Sequence, residues 1–210
     1  MAFVKSVDSR QRTTPGADER DWLARYFARY RASLLETDVS DQLIALKDRL
    51  KQTQALGKKV IVAGNGGSAA IASHCAVDFT KNGGIRCVNF NEADLITCLA
   101  NDYGYGQWLA KALEFYADPG DLVILISSSG KSPNMVNAAR YARSRGLEVV
   151  TFTGFEEDNP LKMLGTVKFW VESRAYNVVE MTHQIWLLAV CDLIVGAAEY
   201  PAKASHVTPG

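Results

Sequence analysis

The stretch LVILISSSGKSPN, residues 122–134, decides how this chain folds. Its first five residues are an unbroken apolar run, the pattern of a strand buried on both faces, which occurs in parallel sheets covered by helices. Ser127, Ser128, Ser129, Gly130 and Ser132 follow, and Pro133 suits the first turn of a helix. Hydroxyls at the point where a strand gives way to a helix can cap that helix. With the outward-pointing amides and the helix dipole they can instead cradle an anion such as phosphate. Gly130-Lys131-Ser132 resembles the end of a P-loop, but the glycine required five residues earlier is Leu125. No Walker-B strand accompanies it, so the nucleoside-triphosphatase reading fails.

Towards the N-terminus lies a second junction of the same kind, VIVAG at 60–64 followed by Asn65, Gly66, Gly67 and Ser68 and then directly by a helix. Glycines let backbone approach a ligand closely, while Asn65 and Ser68 offer polar side chains. The run also satisfies the degenerate G-x-G-x-x-A of dinucleotide folds, with Glu92 as ribose partner, a weak match. A bare tight turn accounts for one glycine but less easily for three around an Asn and a Ser.

From Lys59 onward, short β-rich runs alternate with helices: VIVAG, IRCVNF (85–90), LVILISS, EVVTFTG (148–154) and KFWVE (168–172), with helices through Asp78, near 107–117 and from Pro133. That alternation predicts a parallel sheet covered on both faces, an α/β fold. Two helices come first. One runs from Asp21 to Leu35 with Trp22, Leu23, Tyr26, Phe27, Tyr30 and Leu34 at helical intervals; the other, capped by Asp38 or Ser40, carries Val39, Leu43, Leu46 and Leu50 and ends at Gly57. The aromatic face of the first is more than one helix hides alone and predicts packing against another subunit. A last helix, from Tyr176 to about Tyr200, is apolar on nearly every side and suits burial between sheet and partner. Residues 1–18 and 201–210 are expected to be loose tails around one domain at 19–200.

Composition narrows the partners. Twenty-three basic side chains balance 23 acidic ones, so no net basic field is available to grip a phosphate backbone, and direct nucleic-acid binding is not expected. Cys75, Cys87, Cys98 and Cys191 lack CxxC spacing and read as reduced core residues. No apolar run reaches the roughly 18 residues of a membrane span, and the first 20 residues lack a signal-peptide core. A cytoplasmic protein with small-molecule or protein partners is expected.

Further polar groups lie near the two junctions. His74 and Asp78, four residues apart, share a helix face. Glu180 and Gln184 share one on the last helix, with His183 beside them; a carboxylate in so apolar a run is either paired or put to use. Asn101 and Asp102, in ANDYGYG at 100–106, read as part of a loop.

GNGGSAAIASHCAVDFT, ANDYGYG, SSSGKSPN and EVVTFTG, in this order and spacing, resemble the sugar isomerase (SIS) domain family and, within it, the phosphoheptose isomerases, from about residue 20 to residue 198. The resemblance implies a single domain with a five-stranded parallel sheet flanked by helices, assembled as a homotetramer with active sites between subunits. It implies an enzyme that interconverts sedoheptulose 7-phosphate and a heptose 7-phosphate through an enediolate. Residue by residue, it assigns Asn65, Gly66, Gly67, Asn101 and Asp102 to the sugar, with Ser68 and Gln184 beside them, and Ser127, Ser128, Ser129 and Ser132 to the phosphate. Some members bind zinc, for which His74, Asp78 and Glu180 are the expected ligands; no nucleotide cofactor is expected. Three residues depart from the family. Asp78 replaces its catalytic glutamate, a shortening that shifts the carboxylate by roughly 1 Å; Glu180 replaces a glutamine; and Leu188 replaces the catalytic histidine. Asp78 and Glu180 are therefore the expected catalytic pair, with Asp78 as base. A related branch, a replication-initiation regulator, binds a partner protein instead of catalysing, and Leu188 keeps that non-catalytic alternative open.

Overall fold

A computed structural model describes residues 18–199; the tail expected at 201–210 lies outside them, as does that at 1–18 except for Asp18. That residue belongs to the fold, because its side chain accepts the Arg20 N–H and caps the first helix. The element order is α1 (Glu19–Leu34), α2 (Ser40–Ala55), β1 (Val60–Gly64), α3 (Gly67–Lys81), β2 (Cys87–Val88), α4 (Ala93–Tyr103), α5 (Trp108–Tyr116), β3 (Leu122–Ser127), α6 (Pro133–Ser144), β4 (Glu148–Gly154), α7 (Pro160–Leu164), β5 (Val167–Val171) and α8 (Tyr176–Val195).

The five strands form one sheet in the order β2-β1-β3-β4-β5, every pairing parallel. Alternate residues of each strand serve opposite faces. Val60, Val62, Leu122, Ile124 and Ile126 pack with Leu46, Leu50, Phe79 and Leu187 of α2, α3 and α8. Ile61, Ala63, Val123 and Leu125 pack with Trp108, Leu113, Met135 and Ala139 of α5 and α6. At about 1.5–3 kcal/mol for each large side chain fully buried, these two layers hold the sheet. β2 is laid on one side of β1 and β3 to β5 on the other, so β1 and β3 lie side by side, with Gly64 opposite Ile126. Their following loops therefore emerge together at a switch point, where open α/β sheets bind ligands.

Several sequence expectations are corrected. Asn101 and Asp102 occupy the last turn of α4 rather than a loop. The run 85–90 contributes only Cys87 and Val88 to the sheet. The last helix stops at Val195, because Gly196 turns left-handed with φ +86°. Cys98 is exposed, whereas Cys75, Cys87 and Cys191 are buried, and burial pushes the Cys75 thiol up to about 12. By length and mean hydropathy, 1.6, α8 could also cross a membrane; in the fold it is a core helix, with Val179, Trp186, Leu187 and Val190 buried.

Candidate functional site

The loop after β1 turns sharply because Gly66 adopts φ +55°, a conformation that favours glycine. Gly67 begins α3, and a methyl group there would stand 2.2 Å from Glu180 Oε2. Only a residue without a side chain lets the Glu180 carboxylate, carried on the first turns of α8, lie against the start of α3. Among the described residues Glu180 makes no hydrogen bond or ion pair, and burial holds its carboxyl above the usual carboxylate range. The positive end of α3 is therefore already faced by the protein's own carboxylate, which disfavours a phosphate in the same place.

The serine loop is free of that conflict. Its backbone is closed by Gly130 N–H donating to Ser127 O at 3.0 Å and braced from outside by Gly154 N–H donating to Ser128 O, also at 3.0 Å. Ser127 and Ser128 are buried. The buried Ser128 hydroxyl has no hydrogen-bond partner among the described residues. Ser129 Oγ accepts the Lys131 N–H at 3.2 Å, and Ser132 stands at the N-cap of α6 without a side-chain cap bond. The sequence-predicted phosphate residues thus converge at the start of one helix.

Of the predicted sugar residues, Gly66 lies in the loop after β1, and Gly67 and the buried Ser68 open α3. Asn65 bonds the Asn134 amide in both directions, at 2.8 and 3.0 Å, and receives the Tyr105 hydroxyl at 3.3 Å. Asn101 and Asp102 bond each other at 2.9 Å on the exposed end of α4. Gln184 Nε2 approaches Cys75 Sγ at 3.8 Å, and Leu188 is half-buried one turn further along α8.

His74 Nε2 lies 3.1 Å from Asp78 Oδ2, the i,i+4 pair the sequence predicts, and Asn82 Nδ2 donates to Asp78 Oδ1 at 3.3 Å. Gly67, His74 and Asp78 follow one stripe of α3, with His74 about 10 Å and Asp78 about 16 Å along the axis from Gly67. The expected zinc triad is therefore not gathered: Glu180 sits at Gly67, and no three His, Cys, Asp or Glu side chains among the described residues converge on a metal position. Leu188 adds no donor. Within one chain these residues do not fit a closed metal site, which takes four ligands.

Two residues that shape the site were not singled out from the sequence. Asn134 closes the amide pair. Asn159 caps α7, its Oδ1 accepting the Lys162 N–H at 2.9 Å, while its side chain lies where a Gly130 methyl would otherwise be. The signal for Asn159 was the Asn-Pro pair at 159–160, a turn marker.

A family model described as SIS domain matches residues 25–154. The phosphoheptose isomerase of Fusobacterium nucleatum is 34% identical over 136 residues, 62% of this chain and 70% of that one. The phosphoheptose isomerase of Mycobacterium tuberculosis is 35% identical over 166 residues, 76% of this chain and 84% of that one. Among solved structures, the phosphoheptose isomerase GmhA from Neisseria gonorrhoeae superposes with a TM-score of 0.77 at 26% identity, covering 84% of this chain and 99% of that one.

Proposed function

The chain belongs to the SIS domain family, and we propose that residues 19–200, as its single SIS domain, form an aldose–ketose isomerase of a phosphorylated sugar, with sedoheptulose 7-phosphate as substrate, the reaction its relatives' names imply. One observation carries this reading: Ser127, Ser128, Ser129 and Ser132 gather at the start of α6, at the same switch point of the sheet as the β1 loop, whose Gly67 is met by the Glu180 carboxylate. Ser127, Ser128, Ser129 and Ser132 hold the phosphate. Asn65, Gly66, Gly67, Ser68, Asn101, Asp102 and Gln184 face the sugar.

Isomerisation moves one proton between neighbouring carbons with no net oxidation. A base removes the proton from the hydroxyl-bearing carbon, the carbonyl oxygen takes up a proton to give the enediol, and the reverse steps on the other carbon form the isomer. Asp78 is the proposed base. Glu180, its proton affinity raised by burial, is the proposed donor to the oxygen. Asp78 lies far down α3 from its own serine loop, which favours a site shared between subunits of a homotetramer. His74 and Asp78 would supply two donors to a bound zinc ion, and metal content compared between wild type and His74→Ala tests binding directly. A cytoplasmic location follows from this reading, since a charged sugar phosphate does not cross a lipid bilayer unaided.

The test is conversion of sedoheptulose 7-phosphate, with the isomers separated chromatographically, alongside calorimetric binding. Wild type should bind and convert. Glu180→Gln should lose at least about a hundredfold in kcat while still binding, and the Ser127→Ala, Ser129→Ala double variant should bind at least about tenfold more weakly. Absence of both binding and conversion overturns the proposal. Binding without conversion supports the second reading, a sugar-phosphate-binding module, which Leu188 favours.

A further inference from the structure

We propose that Asn134 is a positioning residue that fixes the amide of Asn65 and fastens the sugar loop to the helix that begins at the phosphate loop, an inference that rests on the sugar-phosphate reading above. Asn65 Nδ2 donates to Asn134 Oδ1 at 3.0 Å, and Asn134 Nδ2 donates to Asn65 Oδ1 at 2.8 Å, across 69 residues of sequence. Two primary amides joined in both directions form a closed ring of bonds. Each supplies one N–H and one oxygen, so neither can flip without breaking both bonds. Asn134 is 1% exposed, so water does not compete for its partners, and loss of the Asn65 amide would leave the buried Asn134 amide unsatisfied.

The bond count then says what Asn65 has left. Its oxygen accepts from Asn134 and from the Tyr105 hydroxyl at 3.3 Å, which uses both acceptor sites; of its two N–H groups one is spent on Asn134. A single N–H is left for a ligand. Asn65 therefore meets the sugar as a hydrogen-bond donor, the polarity that suits a carbonyl, hydroxyl or developing enediolate oxygen. Asn134 holds this arrangement from the first turn of α6, directly after the serine loop, so the spacing of the two subsites is set through one side-chain pair.

A double-mutant cycle tests this, with calorimetric binding of sedoheptulose 7-phosphate and, separately, of inorganic phosphate to wild type, Asn65→Ala, Asn134→Ala and the double variant. Asn134→Ala should weaken sugar-phosphate binding at least about tenfold, while phosphate binding changes less than about twofold. The double variant should bind no more weakly than the weaker single variant, because the second change removes a contact already lost. Asn134→Asp keeps an acceptor for Asn65 but gives up the donor, so it should fall between wild type and Asn134→Ala; it carries the test if Asn134→Ala does not fold. Equal losses for both probes, or losses that multiply in the double variant, would overturn the positioning role. Wild type that binds phosphate but not the sugar phosphate would instead overturn the functional reading on which it rests.

Discussion

His183 donates from Nε2 to the carbonyl of Thr153 at 3.0 Å from the buried face of α8, while its Nδ1 has no partner among the described residues. Burial pulls its pKa down to about 4, only partly opposed by the bond to Thr153. Below the ordinary value of 6.5 the unfolded chain takes up a proton that the folded chain refuses. The stability His183 contributes is thus complete above about pH 6.5 and is lost as pH falls towards 4, on the order of 3 kcal/mol across that window. Urea unfolding of wild type and His183→Gln from pH 7.5 to 4 should show their stability difference moving against wild type by that order as the pH falls; a constant difference would mean that His183 is not held neutral. The sequence placed His183 in the polar group of the last helix but could not say which way it points. Glu180 and Gln184 face α3, and His183, turned to the sheet, became a core residue.

At the scale of elements, the serine loop after β3 is shaped by the loop after β4. Leu161 N–H donates to Gly130 O at 3.0 Å, and the Asn159 side chain occupies the space beside Gly130, where an added methyl would stand 1.9 Å from Oδ1. Gly130 itself has φ +61°. Gly130→Ala should therefore cost about 1–3 kcal/mol and weaken sugar-phosphate binding at least about tenfold. Gly146→Ala is the control: φ +73° with open space around it, so it should share the backbone strain and spare binding. Thermal unfolding and calorimetry on the two variants separate the effects, and unchanged binding in Gly130→Ala would show that the brace does not shape the loop. Neither α7 nor α4 was read from the sequence. α7 is five residues long, too short for a helical period to show, and the Asn-Asp-Tyr-Gly end of α4 carries turn-forming residues that hide the preceding turn.

Over the whole molecule, large exposed apolar side chains are spread over most of the helices, α1 and α8 among them. Trp22, Leu23 and Phe27 line α1, and Met181, Ile185 and Leu193 line α8. α1 buries only Ser33 within the chain; it is tied to α8 by the Ser33–Thr182 hydroxyl bond at 2.9 Å. Light scattering should report about four times 23.0 kDa, and Trp22→Glu with Phe27→Glu should lower that mass by placing charge in an apolar contact. A wild-type monomer at micromolar concentration would count against the shared site. The parallel α/β sheet was legible in the sequence because strands buried on both faces must be continuously apolar and their connecting helices amphipathic. The serine loop between β3 and α6 was legible because its hydroxyls, glycine and proline are local. Only the tertiary structure decided that Glu180 rests on Gly67, that Asn134 clasps Asn65, and that His74 and Asp78 lie two and three turns away from that carboxylate. Those relations join residues 69 to 113 positions apart, and such distances are set by how helices pack on the sheet, which no local pattern records.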